Sequence, residues 1–89
     1  MAEQVRRLFE ADLKIGDKGD NVLFLQRWLI GYGYAIAALI PDGDFGKMTQ
    51  RSVIQLQQFL GVSETGILDQ TTKSALKISH GFDFDSIPV

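Results

Sequence analysis

The chain contains no cysteine, which excludes disulfides, a thiolate nucleophile and cysteine-ligated zinc. Its only histidine is His80. A histidine metal triad is therefore out of reach, and any Ser–His–Asp arrangement has to recruit that one ring. Charge of either sign is scarce, with 9 basic and 11 acidic residues and a net charge of −2. That balance supplies no basic face for nucleic acid, and the Arg6-Arg7 pair reads as a solvated helix face. Long apolar runs are missing too. Residues 22–25 and 34–41 are the longest and fall far short of a membrane span. Met1 is followed by Ala-Glu-Gln-Val-Arg-Arg, with no apolar core or cleavage site, so no secretory signal peptide is expected.

What is present fits one small globular domain. The 89 residues are 45% hydrophobic, ordinary for a packed core and too apolar for a disordered segment. The organising stretch is Pro41-Asp42-Gly43-Asp44-Phe45-Gly46-Lys47-Met48-Thr49. It describes a tight turn that stops abruptly and launches a helix. Gly43 can take a positive φ, Phe45 is the apolar plug, and Gly46 is the expected N-cap. The same grammar returns at Thr65-Gly66-Ile67-Leu68-Asp69-Gln70-Thr71-Thr72. Gly43 aligns with Gly66, Phe45 with Leu68, Gly46 with Asp69, Thr49 with Thr72 and Val53 with Leu76. Two such units imply an internal pseudo-repeat.

In chain order, Val5, Leu8, Phe9 and Leu13 fall at helical spacing, and an amphipathic N-terminal helix is expected over residues 1–12. Residues 13–20 are turn-rich, with Leu13 and Ile15 expected in the core and Asp20 as the next N-cap. Residues 21–32 form an unusually apolar helix, closed by Gly31 or Gly33. Residues 35–40 read as either a strand or a merely extended connection. A helix over 47–60 buries Ser52, Val53, Leu56 and Leu60 and is closed by Gly61. Asp69 caps a last helix through about Ser79, whose inner face is Thr72, Ala75 and Leu76. Residues 80–89 read as a tail; its alternating Phe and Asp suit an edge strand, while Gly81 and Pro88 favour an irregular segment.

The ordered series is long and specific. It runs Leu13, Gly16, Gly19, Val22, Leu25-Gln26 and Leu29, then Gly33-Tyr34. Asp42-Gly43-x-Phe45-Gly46-x-x-Thr49, Val53, Gln57, Gly66-x-Leu68, Thr72 and Ala75-Leu76 complete it. This series resembles the peptidoglycan-binding-like domain family. The resemblance covers residues 13–76 and implies an all-α, compact three-helix bundle, here with an extra N-terminal helix. Domain bounds of 1–12 for that helix, 13–79 for the binding domain and 80–89 for the tail follow. The implied function is non-catalytic binding of bacterial peptidoglycan, through its glycan strand, its stem peptide or both. Such a module targets an attached or partner cell-wall hydrolase to the cell wall or periplasm, and needs no cofactor, metal, nucleic acid or membrane. The alternative is a protein–protein or structural module, in a phage particle or secretion machine, that keeps the fold without glycan affinity. Three positions depart from the family pattern: Thr65 and Asp69 at the outer places of the second turn, and Leu56 in place of an aromatic. Metalloproteinase pro-segments also use this fold, but inhibition there needs a cysteine.

Sugars are held by aromatic faces and planar polar side chains. Tyr32, Tyr34 and Trp28 supply the first kind, and Asp42, Asp44, Arg51 and Gln55 the second; the candidate ligand contacts are Tyr32, Tyr34 and these last four, and Tyr32, Tyr34, Asp42, Asp44 and Arg51 are expected to converge at one corner. Other readings stand beside them. Tyr34 also suits a core aromatic with a wet hydroxyl, Trp28 suits the core, and Asp42 suits an Asx-type turn. Gln26 and Gln57 are expected to brace loop backbone. A carboxylate pair on one short turn and a lone histidine leave no credible set of acid, base and nucleophile.

Overall fold

The computed structural model describes residues 11–82, Phe84, and the backbone of two short strands, β1 (Val5–Arg6) and β2 (Ile87–Pro88). Three helices carry the fold: α1 (Asp20–Gly31), α2 (Lys47–Leu60) and α3 (Gln70–His80). The expected bundle is found. Its core is a single cluster built on Leu13, Val22, Leu25, Leu29, Phe45, Val53, Leu56, Leu68 and Leu76, joined by Trp28, Leu39 and Phe84.

Helix ends follow local chemistry. The cap of α1 is Gly19, one position before the expected Asp20, which instead opens the helix and places its carboxylate at the positive end. Gly33 (φ 81°) closes it: Gly33 N–H reaches the Ile30 carbonyl at 3.2 Å and Tyr34 N–H the Leu29 carbonyl at 2.8 Å, a Schellman motif. Gly46 caps α2 and Gly61 ends it, as expected. Asp69 caps α3, accepting from Thr72 N–H at 2.9 Å.

The segment between residues 13 and 19 stitches the two turn–helix units together. Leu13 exchanges backbone hydrogen bonds with Leu68 at 2.8 and 3.3 Å, and Gly19 N–H meets the Gly43 carbonyl at 3.0 Å. Leu13 is accordingly buried, but Ile15 is 45% exposed, against expectation. The physical reason is a turn: Asp17 N–H bonds the Lys14 carbonyl and Lys14 N–H the Asp17 carboxylate, so the chain swings outward after Leu13. Residues 35–40 are irregular. Leu39 N–H bonds the Ile36 carbonyl in a turn, and Ser52 Oγ holds Ile36 N–H at 3.0 Å.

Both chain ends correct the sequence reading. Val5–Arg6 is extended and pairs antiparallel with Ile87–Pro88, so the expected N-terminal helix is absent at those two residues. Leu8 and Phe9 lie outside the described residues. A helix of a dozen residues is marginal by itself, and pairing across the chain decides such cases. Pro88 is tolerated because a two-stranded ribbon consists of edges. His80 belongs to α3 and not to a tail. Phe84 folds back to 1% exposure, its ring 5.4 Å from Trp28 and 4.6 Å from Phe82.

Candidate functional site

Two buried amides hold the two turns in the same way. Gln26, on α1, is fully buried. Its Oε1 accepts from Gly43 N–H at 2.8 Å, while its Nε2 faces Asp42 Oδ1, the Asp44 carbonyl and Thr49 Oγ1 at 3.3, 2.9 and 2.9 Å. Gln57, on α2, repeats this: Oε1 accepts from Gly66 N–H at 2.9 Å, and Nε2 faces Thr65 Oγ1, the Ile67 carbonyl and Thr72 Oγ1 at 3.0, 2.9 and 2.9 Å. Every partner sits at the aligned position of the pseudo-repeat. Gly43 and Gly66 carry φ of 80° and 73°, which lets their N–H groups turn inward to these amides. Bracing by Gln26 and Gln57 is thus found as expected.

Asp42 is the turn residue of its unit. Asp44 N–H bonds its Oδ1 at 2.9 Å, an Asx turn. That backbone bond, opposed by some desolvation and helped by Gln26, holds the Asp42 carboxyl below the usual carboxylate range. An acid held low is ionised at neutral pH and is unsuited to donate a proton there. Asp44 is exposed and meets Lys18 Nζ at 3.4 Å, a surface pair of little energetic weight. With Gly19, Asp20 and Leu23 these residues edge a shallow cleft of about 320 Å³ at the start of α1.

Tyr32 and Tyr34 stand at the other end of α1. Tyr32 is 56% exposed and stacks on Trp28 with centroids 4.5 Å apart. Tyr34 is half-buried, 5.8 Å from Trp28 and 5.3 Å from Phe59. Burial pushes its phenol up, so the hydroxyl stays protonated. Gln55 donates to the Tyr34 carbonyl at 2.9 Å, and Arg51 is exposed one turn before it on α2. Four of the six expected contacts, Tyr32, Tyr34, Arg51 and Gln55, therefore belong to one corner. Asp42 and Asp44 do not touch them: their bonds run to Gln26, Lys18 and their own turn. From Gln26 to Tyr32 the α1 axis rises by roughly 9 Å.

The sequence reading missed two members of this corner. Phe59 is 68% exposed. His80, placed in a tail by sequence, bonds the Tyr34 hydroxyl through Nε2 at 2.7 Å and Ser79 Oγ through Nδ1 at 2.7 Å. Ser79 gives its one hydroxyl proton to the Ala75 carbonyl at 2.9 Å. In the tautomer with Nδ1–H facing Ser79 Oγ, Nε2 accepts from the Tyr34 hydroxyl. Trp28 is 7% exposed, and its Nε1–H has no hydrogen-bond partner among the described residues.

The sequence pattern of the peptidoglycan binding domain family matches residues 18–76, well over half of the chain. The chain belongs to that family. The chain is also 34% identical over 68 residues to the "Probable N-acetylmuramoyl-L-alanine amidase" of Bacillus licheniformis, covering 76% of this chain and 19% of the amidase. Among solved structures it resembles the SleB N-terminal domain (TM-score 0.67, 26% identity, 76% of this chain and 92% of that one). It also resembles the Burkholderia AP3 phage endolysin (TM-score 0.66, 33% identity, 81% of this chain and 26% of that one). The chain thus spans about a fifth of the amidase and a quarter of the endolysin.

Proposed function

We propose that this domain holds bacterial peptidoglycan without catalysis and so targets an attached or partner cell-wall hydrolase to its substrate, in the cell wall or periplasm. The observation that carries this reading is family membership over residues 18–76 together with both amide-braced turns intact. The amidase and endolysin relatives support it, because each is a much longer protein that contains a similar stretch. The departures at Thr65 and Asp69 are absorbed internally. The Thr65 hydroxyl meets Asp69 Oδ2 at 3.1 Å, and Asp69 caps α3. They therefore give no reason to think binding at the aromatic corner has been lost.

The proposed contacts are Tyr32, Tyr34, Arg51 and Gln55 at the aromatic corner, with Asp42 and Asp44 along the cleft edge. These are mainly uncharged hydrogen bonds and ring contacts, so binding should be modest and weakly salt-dependent, unlike polyanion binding. Arg51 adds a bidentate partner for a stem-peptide carboxylate. The test is sedimentation of the isolated chain with purified insoluble peptidoglycan. Saturable retention without clearing of the suspension is expected. A chain left in the supernatant would instead favour a structural module, and clearing abolished by replacing Asp42 would make it an enzyme.

A further inference from the structure

We infer that the corner formed by Tyr32, Tyr34, Phe59 and His80 is a pyranose subsite that takes an N-acetylhexosamine ring of the glycan strand, in preference to the stem peptide. This rests on the peptidoglycan reading above and names the part of the polymer held. Two strongly exposed rings frame the corner, Phe59 at 68% and Tyr32 at 56%. Both reach the same imidazole, with His80 centroids 6.3 Å from Phe59 and 5.8 Å from Tyr32. Between them lies a polar pair, the Tyr34 hydroxyl and His80 Nε2, 2.7 Å apart. Tyr32 is backed by Trp28 and Tyr34 by both Trp28 and Phe59, so these rings are fixed before any ligand arrives.

A sugar ring is amphipathic in the same pattern. Its axial C–H groups suit the ring faces, and its hydroxyl and acetamido groups suit small neutral donors and acceptors. Gln55 adds one: its Nε2 is tied to the Tyr34 carbonyl, and its Oε1 accepts no hydrogen bond among the described residues. Among the described residues no carboxylate belongs to the corner, which is where an ammonium-bearing peptide would need one, and Arg51 stands one turn of α2 before Gln55, outside the four rings. His80 lies just beyond residues 18–76, which match the family, at the end of α3.

The test uses the whole chain, purified insoluble peptidoglycan, and a soluble N-acetylglucosamine oligomer as competitor. Phe59→Ala removes an exposed ring and should leave the thermal midpoint unchanged, while weakening retention about five- to tenfold, as for a ring at the centre of a contact. The oligomer should displace the wild-type chain and alter the fluorescence of Trp28, the one tryptophan. Equal retention of wild type and Phe59→Ala would overturn the subsite while leaving the peptidoglycan reading standing. So would displacement by free stem peptide and not by the oligomer. A wild-type chain that is not retained at all would overturn both.

Discussion

Replacing Gln57 with leucine keeps the side-chain volume nearly constant and removes the amide that holds the second turn. Of its four partners, three keep another bond: the Thr65 hydroxyl still donates to Asp69 Oδ2 at 3.1 Å. The Thr72 hydroxyl still donates to Asp69 Oδ1 at 2.7 Å, and the Ile67 carbonyl still accepts from Asp69 N–H at 2.8 Å. Gly66 N–H does not: its acceptor is Gln57 Oε1 at 2.9 Å, and Gly66 itself is buried. One orphaned buried donor costs about 1–3 kcal/mol, and each further hydrogen bond lost adds about 0.5–1.5 kcal/mol net. The sum, roughly 3–7 kcal/mol, is a large share of the ~4–13 kcal/mol expected for a domain of this size. Gln26→Leu should cost less, about 2–3 kcal/mol, because Gly43 is half-buried and Asp44 exposed, so water can reach the freed groups. Urea unfolding followed by far-UV circular dichroism measures both, with an unchanged slope expected. Gln58→Leu, an exposed neighbour on the same helix, should stay within about 0.5 kcal/mol. A loss below about 1 kcal/mol for Gln57→Leu, or an equal loss for Gln58→Leu, would refute the bracing role.

Phe45→Ala should cost about 3–5 kcal/mol in the same assay, since its ring is 2% exposed and plugs the first turn; a loss under about 1 kcal/mol would mean the ring contributes little to the core. Gly66→Ala should destabilise by about 1–2 kcal/mol from its φ of 73° alone, and the added Cβ, 2.8 Å from Gln50 Cγ, must also push that side chain aside; a neutral result would contradict the left-handed turn. Asp69→Ala should cost roughly 1–2 kcal/mol at neutral pH through the lost cap. Partial burial would raise the Asp69 carboxyl, but hydrogen bonds from Thr72 and Thr65 outweigh it and hold it below its ordinary value. Stability from this depressed group is present above the unfolded value, near pH 4, and is lost as pH falls through the folded one. The gap between wild type and Asp69→Ala should therefore narrow in acid, and a gap that widens below pH 4 would refute the sign.

Local rules made much of this fold legible in the sequence. Gly43 and Gly66 announce left-handed turns, Asp69 an N-cap, and the spacing of Val53, Leu56 and Leu76 the buried faces, because each depends on residues a few positions apart. Long-range pairings were not legible in that way. Gln26 meets Thr49 across 23 positions, and only the repeated alignment hinted at its twin. Tyr34 meets His80 across 46 positions, which no periodicity encodes. Lys73 is 4% exposed on a face that reads as polar. Ile15 went the other way, since a turn overrode its hydrophobicity. Four of the six site residues share a corner because Gln55 on α2 bonds the backbone just after α1. The two aspartates look like neighbours of that corner only while the length of α1 is ignored.

An amide-shift titration of the labelled chain with a soluble disaccharide muropeptide tests peptidoglycan binding most directly. Shifts that saturate and map to Trp28, Tyr32, Tyr34, Gln55, Phe59 and His80 are expected, with the second turn silent. No shift at millimolar muropeptide, or shifts confined to Thr65, Gly66 and Asp69, would contradict the function or its placement respectively.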